Sequence, residues 1–316
     1  MVIPTCQGGI WLTETLAAIR SQQYDGPLEI VAVDSGSTDN TLATLQQFGA
    51  RIVLLDRQQF THGRARNRGV EQAAGDIVVF LSQDAQPLGD HWLRTLIAPL
   101  ADPTLGATFA RQIARPDATP LETFLQLTLY PAQSKRCQWP PGAFATTTPT
   151  LADLFFSNVC SASRRSICQA FPFDERLIMS EDQAFARDLL RAGYATLYNA
   201  TAQVSHSHHY PLTGLFRRHF DSASSLIGLT AEPLRLTARQ GIAYTAREMR
   251  WLIGNRHWRW LLAVPIYELT RAAGRIMGAR ADQLPLRWRQ TFSLQPDYWQ
   301  RLSDQPAAAD RKRHSR

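Results

Sequence analysis

Cysteine, lysine and long apolar runs are all scarce in this chain, and each scarcity closes off a class of protein. The four cysteines, Cys6, Cys137, Cys160 and Cys168, form no C-x-x-C pair and no zinc-ligand spacing. They read as reduced packing residues, not as a disulfide framework or a zinc site. The longest apolar stretch, Leu261 to Tyr267, is too short to cross a bilayer and contains Pro265. Met1 leads within one residue into the strand-like Val2-Ile3, so no secretory leader is expected. Gly8-Gly9 after that strand falls short of G-x-G-x-x-G, which disfavours a dinucleotide-dependent dehydrogenase. Lys135 is the only lysine before residue 312, so lysine is not available to neutralise a bound phosphate. No internal repeat is visible.

What is present supports a real core. The chain has 316 residues and is 44% hydrophobic, enough for one large domain or two medium ones. The net charge of +7 is unevenly spread: residues 241–316 hold 14 Lys/Arg against 6 Asp/Glu, while residues 1–240 are nearly neutral. The basicity belongs to the C-terminal quarter.

Strand and helix patterns alternate over the first hundred residues. Val2-Ile3, Leu28 to Val33, Ile52 to Leu55 and Ile77 to Leu81 read as strands. Gly9 to Arg20, a segment bearing Leu42 and Leu45 that stops at Gly49, and Gly63 to Ala74 read as helices. Near-continuous apolar strands separated by helices predict an α/β fold with a mostly parallel sheet covered on both faces. Thr5, Asp34, Asp56 and Asp84 gather at the strand C-termini, the edge where open α/β sheets bind ligands. A Rossmann-like nucleotide-binding domain is therefore expected.

Farther on, Gly106 to Ile113, Phe155 to Ala162 and Thr196 to Ser205 read as strands, and Leu121 to Tyr130 and Gln183 to Arg191 as helices. Pro131 to Thr150, with Trp139-Pro140-Pro141-Gly142, reads as a mobile loop over the site. Beyond about residue 213 the pattern is helical.

These residues together resemble glycosyltransferase family 2 of the GT-A fold. The resemblance rests on Pro4-Thr5, Val33-Asp34-Ser35-Gly36-Ser37-Thr38-Asp39, Gly63-Arg64-Ala65-Arg66-Asn67-Arg68-Gly69, a carboxylate after the fourth strand, and Glu181-Asp182 before a helix. Phe60-Thr61-His62-Gly63, Ser82-Gln83-Asp84-Ala85 and His206-Ser207-His208-His209-Tyr210 are similar, more narrowly, to bacterial rhamnosyltransferases that use dTDP-L-rhamnose. The chain departs from the family pattern twice. Cys6-Gln7 replaces Tyr-Asn, and Ser82-Gln83-Asp84 replaces Asp-x-Asp.

The resemblance implies residues 1–103 as a nucleotide-sugar-binding half and 104–212 as the acceptor-binding, catalytic half. It places Pro4, Thr5, Asp34, His62, Arg66 and Gln83 on the donor nucleotide. Asp34 alone also reads as an Asx turn, and the basic helix start around Arg66 as a solvated face. Asn158, Glu181 and Trp139 fall to the sugar and acceptor pocket. With lysine absent, a Mg²⁺ or Mn²⁺ ion held by Asp84 and His206 would neutralise the departing diphosphate. The bland alternative for Asp84 is a turn. His206 and His208 lie two apart and share a face if the strand persists. Asp182 is the expected general base, although Ser180 and Gln183 also read as a capping box that would place acids in a first turn without catalysis.

Residues 213–303 form the expected helical, basic, Trp-rich region. Trp251, Trp258, Trp260, Trp288 and Trp299 interleave with arginines, a composition suited to a membrane interface. Peripheral contact with the cytoplasmic face of a bacterial inner membrane, near a lipid-linked glycan acceptor, is expected in preference to nucleic acid. Residues 304–316 read as a disordered basic tail. A UDP-hexose donor, or a non-catalytic nucleotide- or glycan-binding subunit, are the rival readings.

Overall fold

The computed structural model describes residues 1–140, 142–145, 147–227, 229 and 234–304. From residue 305 onward the expected tail lies outside the described residues. The chain forms two compact units: Met1–Arg176 with Glu181–His209, and Leu177–Ser180 with the chain from Tyr210 onward.

The first unit is a mixed nine-stranded sheet with helices. Its strands are β1 (Val2–Thr5), β2 (Val31–Asp34), β3 (Arg51–Leu54), β4 (Ile77–Leu81), β5 (Gln86–Pro87), β6 (Leu105–Ile113), β7 (Lys135–Cys137), β8 (Cys160–Arg164) and β9 (Ala195–Ser205). The spatial order is β3-β2-β1-β4-β8-β6-β9-β5, with β7 pairing β9. Parallel pairing joins β3, β2, β1 and β4, and again β6 and β9. Only β5, β7 and β8 run against the rest.

The helices are α1 (Gly9–Arg20), α2 (Thr41–Gln47), α3 (His62–Gln72), α4 (Trp92–Ile97), α5 (Pro120–Leu129), α6 (Arg165–Ala170) and α7 (Glu181–Arg191). β2 is buried along its whole length, as a strand covered on both faces requires. α3 packs against β1 through Gly69, where an added Cβ would stand 2.2 Å from Val2. Gly63 plays the same part toward the backbone at Asp174. These two glycines let the basic helix lie close beneath the sheet edge.

Three local readings differ from the sequence expectation. Phe155 to Ser157 do not extend a strand; β8 begins only at Cys160 and runs antiparallel between β4 and β6. Pro131 to Thr150 contains β7, which pairs with β9. The expected box of Ser180 with Gln183 is replaced: Gln183 N–H donates to Asp182 Oδ1 at 2.9 Å, and Ser180 takes the left-handed φ of 62°.

The second unit is helical: α8 (Leu212–Leu226), α9 (Leu234–Gly254), α10 (Val264–Gly278), α11 (Leu286–Phe292) and α12 (Pro296–Asp304). Ile178, Met179, Phe220, Ala281 and Trp299 form its core. α10 lies tight against α8 because Gly274 and Gly278 face it. A Cβ at either would meet the Phe216 or Phe220 carbonyl at 2.6 or 2.2 Å.

Candidate active site

The six co-directional strands end on one edge, and antiparallel β8 begins there. That edge collects Thr5 (β1), Asp34 (β2), Gln83-Asp84 (after β4), Gln112 (β6), His206 (after β9) and Asn158 (before β8). Ser82 N–H bonds Val159 O at 2.8 Å, which fixes the β4 exit beside the β8 entry.

On the β1–β2 side the polar groups bind one another. Asp34 accepts from Thr5 Oγ1 (2.9 Å), Gly36 N (3.0 Å), Ser37 N (2.9 Å) and Ser37 Oγ (2.6 Å). A carboxylate offers about four acceptor positions, so all are in use. Gln7, at φ 51°, bonds Thr38 Oγ1 through Nε2 and accepts from Thr38 N and Asp39 N. Gln83 clasps the Cys6 backbone at both ends, each at 2.9 Å. In this structure Gln83 acts as a strut that sets the Cys6-Gln7 loop. Pro4 is half-buried opposite Val33.

In the middle of the edge lies a metal-ready cluster. Asp84 Oδ1 is 3.6 Å from His206 Nε2, and Asp84 Oδ2 is 3.7 Å from His208 Nδ1. The three ligand atoms lie within 4.8 Å of one another. An octahedral ion with bonds near 2.1 Å spaces neighbouring ligands by roughly 3 Å, so small rotations close the site. His206 is oriented from behind: its Nδ1 lies 2.9 Å from Gln112 Oε1. Gln112 Nε2 donates to Tyr130 Oη and Ser157 Oγ, so its oxygen must face the imidazole. Nδ1 therefore donates to Gln112 and Nε2 is turned toward Asp84, the ring orientation of metal-ligating histidines. Burial works against ionisation of Asp84, but His206, His208 and Arg115 outweigh it and hold the carboxyl well below the usual range.

The acids of α7 sit on the other flank. Glu181 is 4% exposed and pairs with Arg66, itself 5% exposed, at 2.9 Å. Arg66 also donates to the carbonyls of His62 (3.1 Å) and Asn158 (3.3 Å). Arg66 thus does not reach a nucleotide as expected; burying an arginine demands a carboxylate, and Glu181 supplies it. Glu181 is corrected likewise from pocket lining to buried counter-ion. Burial opposes its charge, but Arg66 and then His62 keep its pKa low. Asp182 is the more exposed of the two acids. Its Oδ2 accepts from Asn158 N at 3.2 Å. Burial, then the Glu181 charge, push its pKa up to about 7 against the pull of Arg66.

Asn158 is buried and bonds Ser161 Oγ through Oδ1, so it acts beneath the site and not as pocket lining. His62, half-buried at the head of α3, packs against Phe60. The motif arginine Arg64 and Asn67 hold the 173–175 loop, through Glu175 (2.8 and 3.0 Å) and Phe173 O (2.9 Å). Trp139 does not join. Its ring packs at a tilt against Phe144 (4.5 Å between centroids) beyond β7, whose Cys137 pairs with Thr196 at the start of β9. His206 lies past the other end of that strand, up to roughly 30 Å away at ~3.3 Å per residue.

Ser157-Asn158 links the two flanks, since Ser157 bonds Gln112 and Asn158 bonds Asp182. Sequence reasoning missed Gln7, Gln112 and Arg115. Gln112 was within reach, being a polar residue at the end of an apolar strand on the ligand edge.

The sheet is that of the GT-A glycosyltransferases, enzymes that carry a sugar from an activated donor. This chain belongs to glycosyl transferase family 2, which residues 1–169 match. It is 27% identical over 315 residues to the O-antigen chain rhamnosyltransferase RfbN of Salmonella typhimurium, covering 96% of each chain. Identity to the O-antigen chain rhamnosyltransferase WbaN of Salmonella anatum is 26% over 310 residues, again with 96% of each covered. The fold is shared with a mannosyltransferase of Pyrobaculum calidifontis solved with GDP-Man and Mn²⁺. That match has a TM-score of 0.53 and 20% identity, over 96% of this chain and 87% of that one.

Proposed function

We propose that this transferase moves L-rhamnose, with inversion, from dTDP-L-rhamnose to a hydroxyl of a lipid-linked glycan acceptor in cell-surface polysaccharide synthesis. The observation that carries the reading is the joining, along one sheet edge, of a two-histidine, one-carboxylate cluster to an acid whose pKa is raised. The full-length similarity to O-antigen rhamnosyltransferases supports the donor and the pathway.

Asp84, His206 and His208 fit a divalent ion, and their two imidazoles favour Mn²⁺ over Mg²⁺. Such an ion supplies Lewis-acid charge to the departing diphosphate. Gln112 keeps the His206 Nε2 directed at the cluster. Asp34, through Thr5 and Ser37, shapes the turn beside which the base and ribose lie, with Pro4 and His62 flanking. Asp182 takes the proton of the acceptor hydroxyl as that oxygen bonds the anomeric carbon and the carbon–oxygen bond to diphosphate breaks on the opposite face. A β-linked donor gives an α-rhamnoside and dTDP.

The second unit supports contact with the cytoplasmic face of a bacterial membrane. Among the described residues no helix is long and apolar enough to cross one, so the contact is peripheral. Its surface is the apolar outer stripe of α10 among exposed arginines.

The direct test is thermal melting with nucleotides and Mn²⁺. Near-saturating dTDP should raise Tm by about 5 °C and UDP by less, and EDTA or Asp84→Ala should remove most of the gain. Stronger stabilisation by UDP overturns the rhamnose donor; a shift indifferent to EDTA overturns the metal role of Asp84.

A further inference from the structure

We propose that Arg115 and Trp11 form a clamp on the diphosphate of the sugar nucleotide. This rests on the donor reading above and adds a residue pair that no motif marked.

Arg115 follows β6 by two residues. Its backbone N–H donates to Ser207 Oγ at 3.2 Å, its Nη2 donates to the main-chain oxygen of Asp84, and its guanidinium lies 3.6 Å from the Trp11 ring centroid. Three elements therefore fix one cation beside the Asp84 cluster. A guanidinium has five N–H donors. Among the described residues only one of them has a protein acceptor, and Arg115 makes no ion pair there. Stacking on an indole lowers the entropy lost when the free donors engage a phosphate. Trp11 sits in the first turn of α1, whose Gly9 N–H donates to Asp39 Oδ2 at 3.3 Å.

Of the other cations, exposed Arg57 lies beside Gly36 after β3, and the rest named here are committed elsewhere. Arg66 is closed by Glu181, Arg64 by Glu175, and Lys135 pairs opposite Tyr198 toward the far end of β9. An ion held by Asp84, His206 and His208 would not occupy every phosphate oxygen. A planar fork beside Asp84 matches the others.

The test is the preference for diphosphate over monophosphate, read by calorimetry in EDTA with both nucleoside series, dTDP with dTMP and UDP with UMP. Arg115→Ala should reduce the diphosphate preference by about 10- to 100-fold in whichever series wild type binds tighter. Arg115→Lys should retain part of it. Trp11→Phe, which keeps an aromatic face, should lose less than Trp11→Leu. An Arg115→Ala protein that binds mono- and diphosphate equally weakened, or both unchanged, overturns the clamp. A wild type that prefers the uridine series overturns the thymidine donor while the same ratio still judges Arg115.

Discussion

Asp182 and Glu181 are neighbours in sequence and opposites in environment. One carboxylate is buried against an arginine and stays charged; the next is pushed toward neutrality by burial and by that same neighbour. A base is most useful when its pKa lies near the working pH. As the proposed base, Asp182 would act only when deprotonated, so kcat/KM should climb as pH rises toward about 7 and level off above it. Asp182→Asn should lose roughly 10²–10⁴ in rate with donor affinity nearly intact. Glu181→Gln removes a like charge while Arg66 stays, so the acid limb should move to lower pH. It also strands a buried arginine, at a cost of about 3–5 kcal/mol, so the profile is taken below the variant's Tm. A limb that moves upward or disappears would remove Asp182 from the base role. Which of two adjacent acids is which could not be read from spacing; it follows from Arg66, 115 positions away in the chain.

At the scale of elements, the alternation of apolar runs and amphipathic stretches marked β1 to β4 and the ligand edge, because burial on both faces leaves a local signature. The carboxylates at 34 and 84 stood out for the same reason. What was hidden depends on pairings across the sheet. β8 slots between β4 and β6, and β9 shifts register near Arg111, so that Gln112 lies opposite Val204 and next to His206. No local pattern announces either, and both are needed to orient the metal-ready imidazole. Trp139 was misplaced because a Pro/Gly-rich run says loop without saying at which end of the sheet. Glycines carry a similar ambiguity. Gly278 touches α8 backbone, whereas nothing lies within 4 Å of a Cβ at Gly241 in α9. Gly278→Ala should therefore destabilise by about 1–3 kcal/mol through overpacking, while Gly241→Ala should stabilise by roughly 0.5–1 kcal/mol through helix propensity. Chemical denaturation of both variants checks the pair; equal responses would mean α8 and α10 are not closely packed.

Over the whole molecule, charge and apolar exposure concentrate in the same C-terminal stretch. α10 turns Arg271, Gly274 and Gly278 inward and leaves Ile266, Leu269 and Ile276 on the opposite side; Leu262, in the short helical turn just before it, is 87% exposed and Leu269 70%. Ile242, Met249 and Ile253 repeat the pattern on α9, and exposed Arg247, Arg250, Arg256 and Arg259 lie among them. A stripe of this kind in water needs a cover. The arginines favour an anionic bilayer: each basic residue near such a surface contributes ~1 kcal/mol, and each buried leucine about 1.5–3 kcal/mol. Vesicles containing phosphatidylglycerol should therefore bind the protein, more weakly as salt rises, while phosphatidylcholine vesicles bind little. The double variant Leu262→Glu with Leu269→Glu should weaken binding on the order of 10²-fold. It should leave transfer to a water-soluble acceptor unchanged, since neither residue belongs to the unit that holds Asp84 and Asp182. A concentration-dependent dimer that the same substitutions abolish, with no vesicle binding by the parent chain, would instead make the stripe a contact between two copies.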